Sequence, residues 1–193
     1  MKKRFTIEMI ARQAIVAALY AVLTVINPLS YGNIQFRIAE ILVFLCFYRH
    51  DYIIGLTLGC FIANLFSPML VWDITLGVGA TVIALFLITR TKNIYLAAVW
   101  PIIANALLVA LELYLVYDLP YWLSALEVGI GEAAVMVVGV IIFKILETNK
   151  KVMYFISLDS KYESAKTEKK EEVIDTEVVD EGNNTASNQE EKL

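Results

Sequence analysis

The sequence predicts an all-α, polytopic membrane protein with six transmembrane helices, and three observations lead to that fold class. Of its 193 residues, 59% are hydrophobic and 19% are charged, whereas soluble domains are about 45–50% apolar and about 25% charged. The apolar residues fall in runs close to the length of about 20 residues that crosses a bilayer as a helix. Residues 1–146 carry a net charge of +1 and residues 147–193 a net charge of −5. A soluble enzyme with an ordinary core and a basic nucleic-acid-binding protein are therefore excluded.

Polar and helix-breaking residues separate the predicted spans. We place the six spans at residues 9–28, 38–48, 52–67, 73–89, 95–116 and 122–146. Asn27-Pro28 ends the first span, and Asp118-Leu119-Pro120 ends the fifth. The second span is too short to cross a bilayer easily, so we expect it to be tilted or shielded by its neighbours.

The basic residues predict the orientation, because cytoplasmic loops carry an excess of Lys and Arg. An even number of spans places both termini on one side, and only Arg37 lies in the opposite loops. Eight basic residues lie on the side of the termini: Lys2, Lys3, Arg4, Arg49, Arg90, Lys92, Lys150 and Lys151. We predict a bacterial cell-membrane protein with both termini cytoplasmic.

Residues 147–193 form a predicted tail that is separate from the membrane body of residues 1–146. The tail is acidic and ends in a run of Asn, Ser, Gln and Glu residues. This composition cannot bury enough apolar surface to offset the loss of chain entropy, so we expect the tail to be disordered.

Ionisable side chains inside the spans predict a ligand site, because each costs about 2.5–3.5 kcal/mol to insert. Five carboxylates and one guanidinium fall in the outer half of the body: Glu40, Asp73, Glu112, Glu127, Glu132 and Arg37. A polar layer confined to one half predicts an outward-facing pocket closed by apolar residues below, and it disfavours a channel. The acidic excess favours a cation or a ligand rich in N–H donors.

Two details of this layer follow from spacing and depth. Arg37 and Glu40 are three residues apart, so we expect them to pair on one helix face. Glu112 and Asp118 lie near the lipid headgroups, where we expect water to solvate them. Tyr31, Phe66 and Trp72 lie beside the polar loops and could stack on a planar ring, although most aromatic residues at this level are typical of an interfacial belt.

Small residues predict close helix packing. Gly55, Gly59 and Ala63 form a ridge on the third span that suits packing within the chain. Alanines one turn apart form a stripe on the first span, which could equally dock a partner: Ala14, Ala17, Ala18 and Ala21.

The sequence contains no motif for hydrolysis or metal binding. There is no GxxxxGK[ST] phosphate loop, no HExxH, no Ser/His/Asp set and no Cys/His cluster. We therefore expect no catalytic residue, no metal and no cofactor, and any ATP-driven transport must use partner subunits.

Three ordered strings carry a family resemblance. Residues 31–40 contain a Q-F-R-[IV]-x-E pattern, residues 59–67 contain G-x-x-I-A-N-x-x-S, and residues 73–81 contain D-I-x-x-G-x-x-A-T. Over residues 8–146 the chain resembles the QueT family of queuosine-precursor transporters, which are substrate-binding (S) components of energy-coupling factor (ECF) transporters.

The resemblance implies a ligand, partners and a set of site residues. The implied ligand is a 7-deazaguanine base, whose N1–H and amine could bind one carboxylate among Glu40, Asp73, Glu127 and Glu132, while Asn64 donates to the base carbonyl. The alanine stripe would dock on a transmembrane (T) component that two ATP-binding subunits drive. The predicted substrate-binding residues are Tyr31, Gln35, Arg37, Glu40, Asn64, Phe66, Trp72, Asp73, Glu127 and Glu132.

Alternatives remain open at the level of sequence. The chain could be an S component for another cationic or N–H-rich vitamin such as thiamine. It could also be a proton-coupled carrier that acts alone, although polar groups would then be expected in the inner half. A membrane enzyme would require a nucleophile or metal cluster that the sequence lacks.

Overall fold

A computed structural model describes residues 7–31 and 35–157, and these residues are helical without any β-strand. Seven helices follow one another: α1 Ile7–Ile26, α2 Ile38–Tyr48, α3 Ile53–Asn64, α4 Leu70–Arg90, α5 Ile94–Tyr117, α6 Tyr121–Glu147 and α7 Lys150–Ser157. Short 3₁₀ turns occur at Pro28–Tyr31 and His50–Tyr52. The predicted all-α class is confirmed.

Four helices are long and apolar enough to cross a membrane. These are α1, α4, α5 and α6, with 20, 21, 24 and 27 residues. The second and third predicted spans correspond to shorter helices, since α3 has 12 residues and α2 is of similar length. A count of six spans therefore stays a prediction.

Helix α2 lies at the centre of the bundle and packs against α1, α4, α5 and α6. Ala39, Val43, Phe44 and Cys46 have no exposed surface, whereas Ile38 at the start of the helix is 41% exposed. The helix is 3₁₀ over Ile38–Phe44 before it becomes α-helical. Short and irregular backbone is tolerated at membrane depth where protein surrounds it. Neighbouring helices thus shield this short helix, as expected for the second predicted span.

Helix α4 is also irregular, in the segment that contains its acidic residue, Asp73. Residues Asp73–Gly77 form a π-helical segment between the α-helical Leu70–Trp72 and Val78–Arg90. Segments of π-helix inside α-helices occur frequently at functional sites. Both irregular segments of the bundle thus carry a buried acid, Glu40 in α2 and Asp73 in α4.

Helices α1 and α3 pack closely through small residues. A Cβ atom on Gly59 would lie 2.7 Å from the backbone oxygen of Ala17, and one on Gly55 would lie 2.8 Å from that of Gln13. The predicted packing of the glycine ridge within the chain is confirmed. Ala17 and Ala21 are buried against the rest of the bundle. Ala14 and Ala18 are exposed, so within the alanine stripe these two residues can contact a partner.

Helix α7 belongs to a second compact unit that begins at Lys150. It starts with two lysines and runs to Ser157. Residues 158–193, on which most of the predicted disordered tail falls, lie outside the described residues.

Candidate ligand-binding site

Buried polar side chains from all six helices of the body form the candidate site, here called the polar cluster. Each of its members has 8% or less of its surface exposed. The cluster consists of Tyr20, Arg37, Glu40, Asn64, Ser67, Asp73, Thr81, Asn105, Glu112 and Glu132.

An ion pair between Arg37 and Asp73 organises one side of the cluster. Nη2 of Arg37 donates to Oδ1 of Asp73 at 2.9 Å, and both side chains are at most 2% exposed. Ser67 donates its hydroxyl to the other oxygen of Asp73, and Nε of Arg37 donates to the backbone oxygen of Ser30 at 3.2 Å. Both oxygens of Asp73 are thus engaged within the protein.

The predicted pairing of Arg37 with Glu40 is wrong. Arg37 precedes the first turn of α2 and has an extended backbone, with φ −93° and ψ 93°. The spacing rule for side chains three residues apart holds only where both residues are helical. The guanidinium therefore reaches α4, and Glu40 bonds to α1.

Asn64 uses its amide donor to hold α4 in place. Its Nδ2 donates to the backbone oxygen of Asp73 at 2.9 Å, and a Cβ on Gly77 would lie 3.2 Å from this nitrogen. The other amide atom of Asn64, Oδ1, has no hydrogen-bond partner among the described residues. The amide donor that we expected to bind a base carbonyl is therefore already used within the protein.

Glu40 has one engaged oxygen and one without a partner. The Tyr20 hydroxyl donates to Oε1 at 2.5 Å, while Oε2 has no hydrogen-bond partner in the described part of the chain. The Thr81 hydroxyl and the Glu132 carboxyl lie close to the same group. Glu40 can therefore accept one further hydrogen bond from a ligand.

Glu112 is fully buried beside Asp73, so the expectation that water solvates it is wrong. Helix α5 continues past Glu112 to Tyr117, which keeps this carboxyl inside the bundle. Glu112 contacts the Asp73 carboxyl, and among the described residues neither of its oxygens has a hydrogen-bond partner of normal geometry. Asp118, by contrast, is exposed beyond the end of the helix, as expected.

Glu132 and Asn105 meet between α6 and α5. The two side chains are 2% and 3% exposed and adjoin each other. Within the described residues, Oε1 of Glu132 and both amide atoms of Asn105 lack a hydrogen-bond partner of normal geometry. This pair can thus offer both acceptors and a donor to a ligand.

The charge of the cluster indicates the chemistry of its ligand. Arg37 balances Asp73, which leaves the carboxyl groups of Glu40, Glu112 and Glu132 without a basic partner. Buried polar groups without partners are costly, and unpaired buried charges more so. No group of three or more His, Cys, Asp or Glu in the described residues is placed to hold a metal ion. An organic ligand with several N–H donors fits the arrangement.

The loop before α2 places two further predicted residues near the cluster. The hydroxyl of Tyr31 donates to the backbone oxygen of Ala63 at 2.7 Å, and burial raises the pKa of this phenol. Gln35 is 3% exposed, has φ 45°, and its Nε2 has no partner among the described residues. Residues 32–34 of the first family string lie outside the described residues.

Three predicted residues are not brought into the cluster. Phe66 and Trp72 are 65% and 41% exposed, so neither ring is buried with the carboxyl groups of the cluster. Glu127 is half-buried on α6 and forms no hydrogen bond or ion pair within the described chain.

Sequence reasoning left five members of the cluster out of the predicted site: Tyr20, Ser67, Thr81, Asn105 and Glu112. The positions of Asn105 and Glu112 could have indicated both residues. They are seven residues apart, which is almost two full helical turns and places both side chains on one face of α5. Tyr20, Ser67 and Thr81 are ordinary residues in spans and loops, and only the tertiary contacts distinguish them.

Membrane-length helices around a buried, acid-rich cluster are typical of a helical membrane protein. A family model described as QueT transporter matches residues 10–148, and the chain belongs to this family. The predicted family is thus confirmed. The chain is 35% identical over 161 residues to the queuosine precursor transporter QueT of Lactococcus lactis subsp. cremoris (strain MG1363), which covers 74% of this chain and 93% of the relative. No solved structure matches the chain.

Proposed function

We propose that the chain is the substrate-binding component of an ECF-type transporter that takes up a queuosine precursor across a bacterial cell membrane. One observation carries the proposal besides the family: three buried carboxyl groups, on Glu40, Glu112 and Glu132, have acceptor oxygens without a partner in the described chain. A 7-deazaguanine base presents N1–H and an amine side by side, which one carboxyl group can accept as a bidentate pair. An aminomethyl substituent would add a cation for a second carboxyl group.

The proposed topology has six spans, with α2 and α3 as short spans inside the bundle. Both termini are cytoplasmic, and the polar cluster opens to the outside. The basic residues of the sequence support this orientation. Residues 1–146 form the membrane body, and residues 147–193 extend from it on the cytoplasmic side.

Energy for uptake comes, in this proposal, from partner subunits. The sequence contains no phosphate-binding loop, so ATP hydrolysis falls to two ATP-binding subunits that act through a transmembrane T component. The chain itself is a transporter subunit and not an enzyme.

Ligand binding to the purified full-length protein tests the substrate. We expect 7-deazaguanine bases to bind with a Kd below about 1 µM, corresponding to about −8 kcal/mol, in calorimetry on protein in lipid nanodiscs. Thiamine and guanine serve as comparison ligands, and mass spectrometry identifies any base that co-purifies. Failure of every 7-deazaguanine base to bind would contradict the substrate, and tight thiamine binding would favour a vitamin S component.

Uptake experiments test the coupling. We expect accumulation of the base only in cells or vesicles that also contain the T component and the ATP-binding subunits. Uptake driven by a pH gradient in vesicles that contain this chain alone would instead indicate a stand-alone carrier.

The exposed alanines of α1 provide a separate test of partner docking. Replacing Ala14 and Ala18 by leucine adds bulk to an exposed small-residue face, which would prevent close approach of a partner helix. We expect loss of uptake and of co-purification with the T component, with ligand affinity unchanged. Ile15→Leu, at a neighbouring position that is 65% exposed, is the matched control and should behave as wild type. Uptake that survives in the double variant would contradict the docking assignment.

A further inference from the structure

We propose that Glu132 and Asn105 together recognise the hydrogen-bonding edge of the base, with Asn105 as the residue that selects for a ring carbonyl. Glu132 accepts two neighbouring N–H groups, and Nδ2 of Asn105 donates to the carbonyl oxygen beside them. The inference rests on the proposed function, because it assigns the substrate of that site to particular atoms.

The first support is burial without partners. Asn105 is 3% exposed on α5, and among the described residues neither its nitrogen nor its oxygen forms a hydrogen bond of normal geometry. An amide in this state loses its hydrogen bonds to water and gains from the protein only a contact with Glu132 that falls outside normal hydrogen-bond geometry, which costs free energy unless a ligand supplies better partners. Glu132 adjoins it and offers Oε1 in the same condition.

The second support is that other candidates are already engaged. Both oxygens of Asp73 accept hydrogen bonds, from Arg37 and Ser67. Asn64 has given its amide donor to a backbone oxygen, and Glu40 has given one oxygen to Tyr20. Two buried amides, Gln35 and Asn105, have a donor that no hydrogen bond of normal geometry engages, and of these Asn105 lies beside a carboxyl group, that of Glu132.

The pattern of donors and acceptors also matches one class of base. A carboxylate only accepts hydrogen bonds, whereas an amide side chain both donates and accepts. Two acceptors followed by a donor complement an edge with an exocyclic amine, a ring N–H and a carbonyl, as in guanine and 7-deazaguanine. An adenine-like edge presents a ring acceptor at the central position, which Glu132 would repel. A buried site of this kind discriminates strongly against a base that leaves its polar groups unpaired.

Two ligands that differ at one atom test the assignment of Asn105. The first is 7-deazaguanine, and the second is 7-deaza-6-thioguanine, which keeps the amine and N1–H but has sulfur, a weaker acceptor, in place of the carbonyl oxygen. Wild-type protein should bind the first more tightly by about threefold to tenfold, which is the effect of weakening one hydrogen bond from a buried donor. In Asn105→Leu, which is similar in size but has no donor, this preference should disappear because the affinity for 7-deazaguanine falls to that for the second ligand.

A parallel pair of ligands tests Glu132. Compared with 7-deazaguanine, 7-deazahypoxanthine lacks only the exocyclic amine. Wild-type protein should prefer 7-deazaguanine by about tenfold to a hundredfold. In Glu132→Gln, the amide nitrogen faces N–H groups of the ligand, so we expect weaker binding of both bases and a preference below about threefold.

Comparison of ligand preferences separates recognition from a structural role. A variant that is merely misfolded binds all ligands more weakly by the same factor. An unchanged preference between the two ligands of the Asn105 test, in both Asn105→Leu and Asn105→Ala, would therefore overturn the inference. Absence of any binding of 7-deazaguanine bases to wild-type protein would instead contradict the proposed function. Calorimetry on the full-length protein in nanodiscs distinguishes these results.

Discussion

Helices α5 and α6 have two halves of opposite character, although both are apolar enough to lie in a membrane. In the apolar half, between Tyr95 and Ile102 of α5 and between Ala133 and Ile141 of α6, hydrophobic side chains line a groove of about 350 Å³. In the polar half, Asn105 and Glu112 of α5 and Glu132 of α6 are buried in the polar cluster.

The polar half is the part of the two helices in which buried side chains lower the stability of the fold, and we attribute this cost to function. The apolar half needs only dispersion contacts to pack. The polar half buries carboxyl groups that neither lipid nor protein satisfies, which disfavours folding unless a ligand compensates. The two halves should therefore respond differently to substitution, since packing changes should affect stability and polar changes should affect ligand selection.

The largest effect is expected at the ion pair that organises the polar half. Arg37→Met leaves the buried carboxyl of Asp73 without its cation, and breaking such a pair from one side costs about 3–5 kcal/mol. We expect a large loss of thermal stability in detergent together with loss of ligand binding.

The double variant Arg37→Met/Asp73→Leu is the control for this prediction. It removes both charges, so it should recover a substantial part of the stability that Arg37→Met loses, because an apolar replacement of a buried pair is often neutral. A single variant as stable as wild type would show that the pair is exposed to water and does not organise the site.

A smaller effect is expected in the apolar half, at a close contact between α6 and α2. A Cβ on Gly139 would lie 2.6 Å from the ring of Phe44, which is fully buried and packs against Phe143 with ring centroids 5.6 Å apart. Gly139→Ala should therefore cost about 1–3 kcal/mol of stability through overpacking, while the preference between bases stays unchanged.

Gly129, on the same helix in the polar half, is the matched control. A Cβ there would lie 3.5 Å from the Cβ of Ala106, which is an ordinary contact. Thermal unfolding of Gly129→Ala should match that of wild type. Equal destabilisation by both substitutions would show that loss of glycine itself, and not the contact with Phe44, is responsible.

The parts of the fold that depend on the length of the hydrophobic runs were predictable from the sequence. The long runs gave α1, α5 and α6, and the polar loops separated them correctly. The irregular segments were not predictable, because they depend on tertiary contacts. Arg37 and Asn64 donate hydrogen bonds to Asp73 in the π segment, and the 3₁₀ start of α2 packs against α1, α5 and α6. Apolar pattern alone carries no information about them.

The site was predictable in its charge and only partly in its members. Depth along the spans identified Arg37, Glu40, Asp73 and Glu132, all of which are buried in the cluster. Depth does not report which way a side chain points around the helix axis. For this reason Glu112 was expected to be solvated, and Glu127 was expected to bind the ligand.

The smallest effect is expected for Glu127, which tests whether angular position or depth determines the site. Glu127 and Glu132 lie five residues apart on α6, which separates them by about 140° around the axis. Glu132 is 2% exposed within the cluster, whereas Glu127 is half-buried and has no polar contact among the described residues. Glu127→Gln should therefore leave the Kd for 7-deazaguanine within about twofold of wild type, and stability within about 0.5 kcal/mol, as for substitutions away from packed features. Calorimetry beside Glu132→Gln makes the comparison on one helix with the same chemical change. Equal loss of binding in the two variants would show that Glu127 also contacts the ligand and that the site extends beyond the polar cluster.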